Sequence, residues 1–521
     1  MIFELLPYSS DKLLSCLLDD SKYTTENTIK GRRHFDYFQQ YFDELKACTI
    51  VVENHYVDRD YLQDYAEYYD RCFADYPRRT RRLHFFSLGF TAEEFEGAVI
   101  NTPDNDMPLT LAEHYLGFIV VKPLPQTIIG RTCLKTYGDD HGRRNFPCLR
   151  SYPVNLYGLE LEVKSLAYQE QDQVVAACAT SALWTCLQGT GKLFQHSIPA
   201  PVEITTWASD QIPGNVLAVG ARTFPSNGLT ARQMAHVIRW VDLEPHIVRA
   251  NVKYNLDGAL YAYLKGKIPS ILSARLVSYT DGLETTVGMH AVAITGYSLR
   301  EDGEYEYSSE DFKLRASKID KIYVHDDQLG PFCRLEWGDL PSPERFGQEE
   351  HYSGLSTSRG DSHYYIPDFI LLPLYHKIRI PYSLIHDEML TLNSVMAAYR
   401  HTSMMADTTS PEWDIYLTTV NEYKSSIRED YKGLGVDYRD CLYTRMPRFM
   451  WRVTLRRDGA IKMDFLFDAT GVAQHSLLVN VFSTACEDKE VLICLAQAEY
   501  KDDIANYPLQ MKAVIQAFAS S

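Results

Sequence analysis

The spacing of apolar residues along the chain predicts a mixture of helices and strands. Apolar runs at residues 49–52, 83–87 and 115–121 are typical of buried strands. From Asp58 onward the spacing changes to three and four residues, which predicts an amphipathic helix with a tyrosine-rich face. The apolar positions of that helix are Tyr61, Leu62, Tyr65, Tyr68, Tyr69, Cys72 and Phe73. We expect this face to pack in a core, with a partner-binding surface as the alternative.

The region after residue 365 has a second mixed pattern. Alternating apolar residues predict a hairpin that pairs Leu455 with Ile461 and Val453 with Met463 across a bulged turn at Gly459. The other elements predicted for this region are helices at residues 385–399 and 503–518 and strands at residues 369–372, 378–380, 477–482 and 490–495.

Two polar stretches predict where the domains meet. Residues 139–153 contain Gly, Arg and Pro, and residues 347–363 are rich in Ser and Gly without apolar periodicity. We therefore predict an α+β protein in four parts. These are an N-terminal α+β domain (1–150), a central domain (151–345), a polar loop or linker (346–364) and a C-terminal α+β domain (365–521).

Composition and charge narrow the classes of function. The chain has 521 residues, and its net charge of −17 makes general binding to nucleic acid unfavourable. The longest nearly apolar run, residues 174–187, is shorter than the roughly 18 residues that a membrane helix needs. We expect neither a nucleic-acid partner nor a membrane span.

The cysteines and the start of the chain favour a cytoplasmic protein. The 11 cysteines include no CxxC pair, so they indicate neither a zinc framework nor a set of disulfides. The first residues lack the basic and small-residue features of a secretory signal. We expect reduced cysteines, most of them buried, with one available as a nucleophile.

Cys178 lies at the beginning of a predicted helix. Apolar residues at helical spacing follow it, and glycines at 189 and 191 are predicted to end the helix. The free backbone amides at a helix start stabilise a thiolate, which is the nucleophilic form of cysteine. Cys178 is therefore a candidate nucleophile.

A base and an orienting acid are predicted on two strands further along the chain. His290 begins a predicted strand at residues 289–297, and Asp326 ends the predicted strand that starts at Lys321. A cysteine, a histidine and an aspartate on separate elements can form a nucleophile, base and orienter set. Asp327 is an alternative to Asp326 because it follows the same strand.

These motifs resemble the papain-like cysteine peptidases, specifically the bacterial C39-like branch. The matching segments are Gln171 with residues 178–183, the HAVxxxGY pattern of residues 290–297, residues 322–326, and the helix start in residues 225–233. The resemblance covers roughly residues 155–340, the greater part of the central domain. It implies that Cys178 is the nucleophile, His290 the general base and acid, and Asp326 the orienter.

The resemblance also implies that a glutamine donates a hydrogen bond to the oxyanion, together with the backbone amide of Cys178. The family's usual position for this glutamine, six residues before the cysteine, holds Asp172 here, and Gln171 and Gln173 flank it. We expect Gln171 to be the donor, with Gln173 as the alternative. The chain also has Ala179 where the family usually has glycine.

The predicted function is hydrolysis of a peptide or isopeptide bond through a thioester on Cys178, with a protein or peptide as substrate and no cofactor or metal. Alternatives are another acyl transfer by the same triad, as in a deamidase or transglutaminase, and a non-catalytic papain-fold interaction protein. The flanking domains are predicted to recruit substrate or a regulatory protein, or to cover the cleft, in which case removing either should raise activity.

Overall fold

A computed structural model describes most of the chain. The described residues are 3–18, 24–100, 105–125, 127–172, 174–211, 223–224, 226, 228–280, 283–300, 305, 312–340, 353–357, 363–403, 409–432, 438–497 and 506–519. Helices and strands both contribute large parts of these ranges, which confirms the predicted α+β class. No helix in these ranges is long and apolar enough to cross a membrane.

The described elements follow one another along the whole chain. The strands are β1 (Phe3–Pro7), β2 (Thr49–Tyr56), β3 (Thr80–Phe86), β4 (Tyr115–Val121), β5 (Ile129–Leu134), β6 (Arg144–Asn145), β7 (Arg150–Leu156), β8 (Leu159–Ser165), β9 (Leu243–Arg249), β10 (Ser270–Thr280), β11 (Leu283–Leu299), β12 (Lys313–Leu314), β13 (Ile319–Asp326), β14 (Gly330–Asp339), β15 (Ser353–Thr357), β16 (His363–Tyr375), β17 (Glu412–Thr419), β18 (Phe449–Arg457), β19 (Ala460–Asp468) and β20 (Leu478–Ser483). The helices are α1 (Ser10–Leu17), α2 (Glu26–Lys30), α3 (Arg33–Glu44), α4 (Arg59–Glu67), α5 (Ala92–Val99), α6 (Met107–Glu113), α7 (Cys178–Phe194), α8 (Pro201–Ser209), α9 (Ala231–Trp240), α10 (Lys253–Lys265), α11 (Tyr382–Thr402), α12 (Val420–Asp430), α13 (Arg439–Tyr443), α14 (Glu487–Leu495) and α15 (Leu509–Gln516).

The chain divides into two compact units. The first contains residues 1–247, 269–298 and 321–373, and the second contains residues 248–268, 299–320 and 374–521. This division differs from the predicted boundaries at 150 and 345, because the N-terminal region and most of the predicted central domain lie in one unit. Two short segments of the predicted central domain instead belong to the second unit.

The first unit contains two main sheets. Strands β1 to β5 form an antiparallel sheet in sequence order. In the larger sheet, β10, β11, β13, β14, β15 and β16 are neighbours in that order, and β10 also pairs with β16, so that these six strands close on themselves. Strand β15 lies inside the predicted linker 346–364, so this part of the linker prediction is wrong, whereas residues 346–352 and 358–362 lie outside the described residues.

The tyrosine-rich helix is shorter than predicted but packs in a core as expected. Helix α4 ends at Glu67, and Phe73 is exposed to solvent. Tyr61, Tyr65 and Tyr69 are buried in one cluster with Val175. The side chain of Asp58 accepts hydrogen bonds from two backbone amides of the first turn and so fixes the helix start.

The second unit is built around the sheet β12-β17-β18-β19-β20. The predicted hairpin is present, but its register differs by two residues: Leu455 lies opposite Met463 and Val453 opposite Phe465. The apolar residues therefore keep their common face. Both residues of the turn, Asp458 and Gly459, have positive φ (51° and 76°), which allows a tight two-residue connection.

Two strand predictions in this region are wrong. Residues 490–495 belong to helix α14, whose buried Val491, Leu492 and Leu495 follow a helical spacing. Residues 378–380 form no strand, although Ile378 and Ile380 are buried. Short apolar runs do not distinguish a strand from a buried helix or loop.

Candidate active site

Cys178 is the first residue of helix α7, as the sequence predicts. The preceding residue, Ala177, has extended backbone angles and no side-chain cap bond, so the amides of the first helical turn have no side-chain acceptor from this cap. The thiol is reduced and half-buried, whereas Cys186 in the same helix is fully buried. Cys178 thus combines partial access with a position at the start of a helix.

Asp172 holds the turn that leads into Cys178. Its Oδ1 accepts hydrogen bonds from the backbone amides of Val174 (2.8 Å), Val175 and Ala176 (2.9 Å). Its Oδ2 accepts a hydrogen bond from the Tyr69 hydroxyl (3.1 Å), which connects the turn to the tyrosine cluster. A carboxylate in this arrangement is only an acceptor and cannot donate to an oxyanion.

His290 and Asp326 lie on adjacent strands of the closed sheet. His290 is in the middle of β11, opposite Ala274, whereas we predicted it at the start of a strand. Asp326 is the last residue of β13, as predicted. The distance from His290 Nε2 to Asp326 Oδ1 is 3.3 Å, and both side chains are buried. This is the geometry of an imidazole oriented by a carboxylate.

Two further donors fix the Asp326 carboxylate. The hydroxyl of Tyr365 donates to Oδ2 (2.6 Å), and the backbone amide of Gln328 donates to Oδ1 (3.0 Å). The Tyr365 ring is fully buried and lies 5.6 Å from the His290 ring, centroid to centroid. Tyr365 therefore positions both members of the pair.

Asp327 approaches the same histidine nitrogen. Its Oδ1 lies 3.5 Å from His290 Nε2, so the structure brings both candidate aspartates to the ring. Nε2 and one oxygen from each carboxylate lie within 4.8 Å of one another, a spacing that a metal ion could bridge. The Asp326 oxygens, however, already accept hydrogen bonds from protein donors. This arrangement of His290, Asp326 and Asp327 supports a role in holding a proton on the histidine ring.

The charge of His290 follows from these neighbours. Burial by itself lowers the pKa of a histidine, but the charge of Asp327 and hydrogen bonds with Asp326 and the Cys178 side chain outweigh it and raise the pKa of His290 to about 10. His290 is therefore an imidazolium at neutral pH. Because Nε2 faces the carboxylates, Nδ1 is the nitrogen left for the thiol of Cys178.

Gln171 borders a cavity next to this group. The cavity has a volume of about 240 Å³, and its walls include Gln171, Asp327 and Gln328. Gln171 directly precedes Asp172. It is therefore one residue away from the position, six residues before the cysteine, where papain-like peptidases usually have the oxyanion glutamine. Gln173, the alternative donor, lies outside the described residues.

A second cavity lies beside His290. It has a volume of about 350 Å³ and combines His290 with apolar side chains, among them Leu276 and the exposed Met289. Arg33, the first residue of α3, lines both cavities, and so does Gln328. The histidine therefore faces a space whose walls combine apolar side chains with one cation.

The N-terminal region holds the segment before Cys178. Glu170 accepts hydrogen bonds from the backbone amides of Ile128 (3.1 Å) and Ile129 (3.0 Å) and forms an ion pair with Arg32 (2.6 Å). His34 contributes a further contact, with its Nε2 3.1 Å from the backbone oxygen of Asp327. Helix α3 and strand β5 thus position residues on both sides of the site.

The sequence interpretation missed several of these residues. It placed Tyr365 in a separate C-terminal domain and Arg32 and His34 in a separate N-terminal one. Asp172 enters the sequence prediction only as an exception to the glutamine position, although an aspartate before an irregular segment is a recognised signal for a capped turn. The other residues have no local signal: the contacts of Arg32 and His34 cross more than a hundred positions of the chain, and that of Tyr365 crosses 39.

Comparisons with known proteins identified no relative of the chain. No model of a protein family matches the chain, and no curated protein matches it. The geometry of Cys178, His290 and the two aspartates is therefore the evidence that bears on function.

Proposed function

We propose that the protein is a papain-like cysteine peptidase that hydrolyses a peptide or isopeptide bond. The observation that carries this proposal is the order of contacts: Cys178 at a helix start, His290 in hydrogen-bond contact with it, and Asp326 on the other side of the ring. Papain-like peptidases use a nucleophile, base and orienter in this order, and the closed sheet with α7 supports the same resemblance.

The proposed reaction uses the ion pair of Cys178 and His290. The thiolate attacks the carbonyl carbon, and the electron pair of the C=O bond moves to the oxygen. Collapse of this intermediate breaks the C–N bond, and the leaving amine takes the proton of the imidazolium. Water then gives a proton to neutral His290 and attacks the thioester, which releases the acid and restores the thiolate.

The oxyanion of both intermediates needs hydrogen-bond donors. The backbone amide of Cys178, at the start of α7, supplies one of them in this proposal. Asp172 is excluded as the second because its carboxylate accepts backbone amides, so we assign the role to Gln171. A comparable side-chain donor contributes roughly 2.7 to 4 kcal/mol to the transition state.

The cavity beside His290 supports a peptide as substrate. Leu276, Val287 and Met289 offer an apolar wall, and Arg33 offers a cation to a carboxylate of the substrate. The elements around the site belong to one compact unit that includes the N-terminal region. We therefore propose that the N-terminal region supports the site. That it also binds a regulatory partner stays a prediction.

The first test is the alkylation rate of each cysteine by iodoacetamide between pH 5 and pH 9, read by peptide mass spectrometry. We expect Cys178 to react faster than the exposed Cys48 and to lose this advantage in His290→Ala. Fully buried Cys186 is the internal control for intact folding. Labelling of Cys178 no faster than that of Cys48 contradicts a thiolate paired with His290.

A second test identifies the reaction. A peptide library is incubated with the wild type and with Cys178→Ser, and the products are analysed by mass spectrometry. New amino termini in the wild type alone support hydrolysis of peptide bonds. Release of ammonia or incorporation of an added amine indicates another acyl transfer, and the absence of any Cys178-dependent product favours a non-catalytic interaction protein.

A further inference from the structure

The cavity beside His290 lies on one face of the paired strands β10 and β11. Leu276 of β10 is directly opposite Gly288 of β11, two residues before His290. Residues that lie opposite each other share a face of a sheet, and so do residues two positions apart on one strand. Leu276 is buried and lines the cavity together with Gly288 and His290. The histidine is thus next to an apolar surface on its own face of the sheet.

Gly288 leaves this surface open. Among the described residues, no atom lies within 4 Å of the point where a side chain at position 288 would begin. Gly288 is not among the glycines with positive φ, so its backbone conformation does not require glycine. A bulge lies at this point, because Gly288 is opposite Leu276 while Thr286 is opposite Val277. The missing side chain therefore adds space to the cavity, whose volume is about 350 Å³.

Arg33 gives the cavity a cation whose donors are available. It is exposed, and its guanidinium makes no hydrogen bond or ion pair with any residue in the described ranges. The described acids that line the adjoining cavity have other partners. Glu170 pairs with Arg32 (2.6 Å), and Asp327 lies 3.5 Å from His290 Nε2. Arg33 can therefore offer its planar set of donors to a ligand.

The position of Arg33 relates this cation to the proposed chemistry. Arg33 lines the cavity that contains His290, the proposed base, and also the cavity that contains Gln171, the proposed oxyanion donor. Gln328 likewise lines both. A substrate group bound by Arg33 is therefore close to both groups that act on the scissile bond. The residue that carries this group should be next to that bond.

We propose that this cavity is a subsite for a glutamate side chain of the substrate, next to the bond that is cut; this inference rests on the proposed peptidase function. A glutamate side chain has two methylene groups and ends in a carboxylate. Leu276 and the exposed side chains of Val287 and Met289 offer apolar contacts to the methylene groups. The guanidinium of Arg33 offers paired donors to the carboxylate. The substrate class is therefore a peptide with an acidic residue at the cleavage site.

The test uses three pools of synthetic heptapeptides with Glu, Gln or Lys at the centre and uncharged residues elsewhere. The peptides are acetylated and amidated, so the central side chain carries their only charge. Initial rates of amine release by the full chain are measured, with Cys178→Ser as the blank. We expect the wild type to cleave the Glu pool about tenfold faster than the Gln pool, because a carboxylate forms a charge-assisted hydrogen bond that an amide does not.

Variants of the two subsite residues assign the preference. Arg33→Gln should bring the ratio of the Glu and Gln rates close to one, and Arg33→Glu should favour the Lys pool. Arg79→Gln removes another exposed arginine of the same unit, one that lines neither cavity, and should keep the ratio of the wild type. Gly288→Val fills the open space and should slow cleavage of the Glu pool several-fold. Its stability in urea should stay close to that of the wild type, because β-branched residues suit a strand.

The outcomes separate the subsite from the peptidase. Cleavage of the Glu and Gln pools at equal rates, lost in Cys178→Ser, overturns the subsite and leaves the peptidase in place. An unchanged ratio in Arg33→Gln, or an equal loss in Arg79→Gln, also overturns the subsite. If no pool is cleaved, the peptidase fails, and calorimetric titration of Cys178→Ser with the Glu and Gln pools decides the subsite. Tighter binding of the Glu pool that depends on Arg33 supports it, and equal or absent binding overturns it.

Discussion

Titration of His290 should change the stability of the fold in a way that can be calculated. The imidazole is buried, with Asp326 and Asp327 at 3.3 and 3.5 Å from Nε2. Burial lowers its pKa, but the two carboxylates and the contact with Cys178 raise it more strongly, to about 10, against an ordinary value of 6.5. The folded chain therefore keeps a proton that the unfolded chain releases near neutral pH.

The size and sign of the effect follow from linkage. Below pH 6.5 both states hold the proton, and the stabilisation is fully present. Between 6.5 and about 10 only the folded state holds it, so stability falls by about 1.36 kcal/mol per pH unit. The loss over this window is about 5 kcal/mol, and above pH 10 the contribution is gone. The ring is almost fully buried, so solvent screening reduces this value little.

The assay is urea unfolding at pH 6, 7, 8, 9 and 10 for Cys178→Ala and for Cys178→Ala/His290→Gln, because removing the thiol separates the titration of the imidazole from that of Cys178. Other groups titrate in both proteins, so the informative quantity is the difference between their free energies of unfolding. We expect this difference to decrease by up to about 5 kcal/mol from pH 6 to pH 10. His401→Gln, added to Cys178→Ala, removes an exposed histidine and should leave the stability of that variant unchanged. A difference that stays constant across the range would refute the ion-pair reasoning.

Three further predictions concern the support of the site. Tyr365→Phe removes the hydroxyl that donates to Asp326 (2.6 Å) and should lower the free energy of unfolding in urea by about 2 kcal/mol. It should also change the pH profile of Cys178 alkylation; an unchanged profile would leave Tyr365 a purely structural residue. Asp172→Ala should slow alkylation of Cys178 several-fold, and Asp172→Asn, which keeps an acceptor oxygen, should restore most of the rate. Deletion of residues 1–150 should abolish the cooperative unfolding of the first unit, as seen by circular dichroism; a folded and more active deletion would instead support a covering domain.

The sequence predicts the local parts of the site because local chemistry determines them. A helix start at Cys178 and a strand end at Asp326 follow from apolar periodicity and from the residues that interrupt it. The strand that carries His290 was also predicted, although its start was placed too late. Each of these positions is defined by its neighbours along the chain.

The rest of the site could not be predicted because its contacts are distant in sequence. Tyr365 and Asp326 are 39 positions apart, and Arg32 and Glu170 are 138 positions apart. The register of the hairpin failed for a related reason: alternation defines which residues share a face, and a shift of two residues keeps the face. The two-residue turn at Asp458 and Gly459 pairs Arg456 with Ile461, and a bulge before Arg456 then places Leu455 opposite Met463.

The position of the N-terminal region changes the interpretation of the site. A removable cover would touch the cleft and leave the segment that leads to Cys178 intact. Strand β5 instead forms backbone bonds with that segment, since Thr132 and Tyr168 exchange amide hydrogen bonds of 2.8 and 2.9 Å. Two positions further on, Glu170 is held by amides at the start of the same strand. Without β5 these buried polar groups would lose their partners, at a cost of about 1–3 kcal/mol each. The region before residue 150 is therefore part of the structure that positions Cys178.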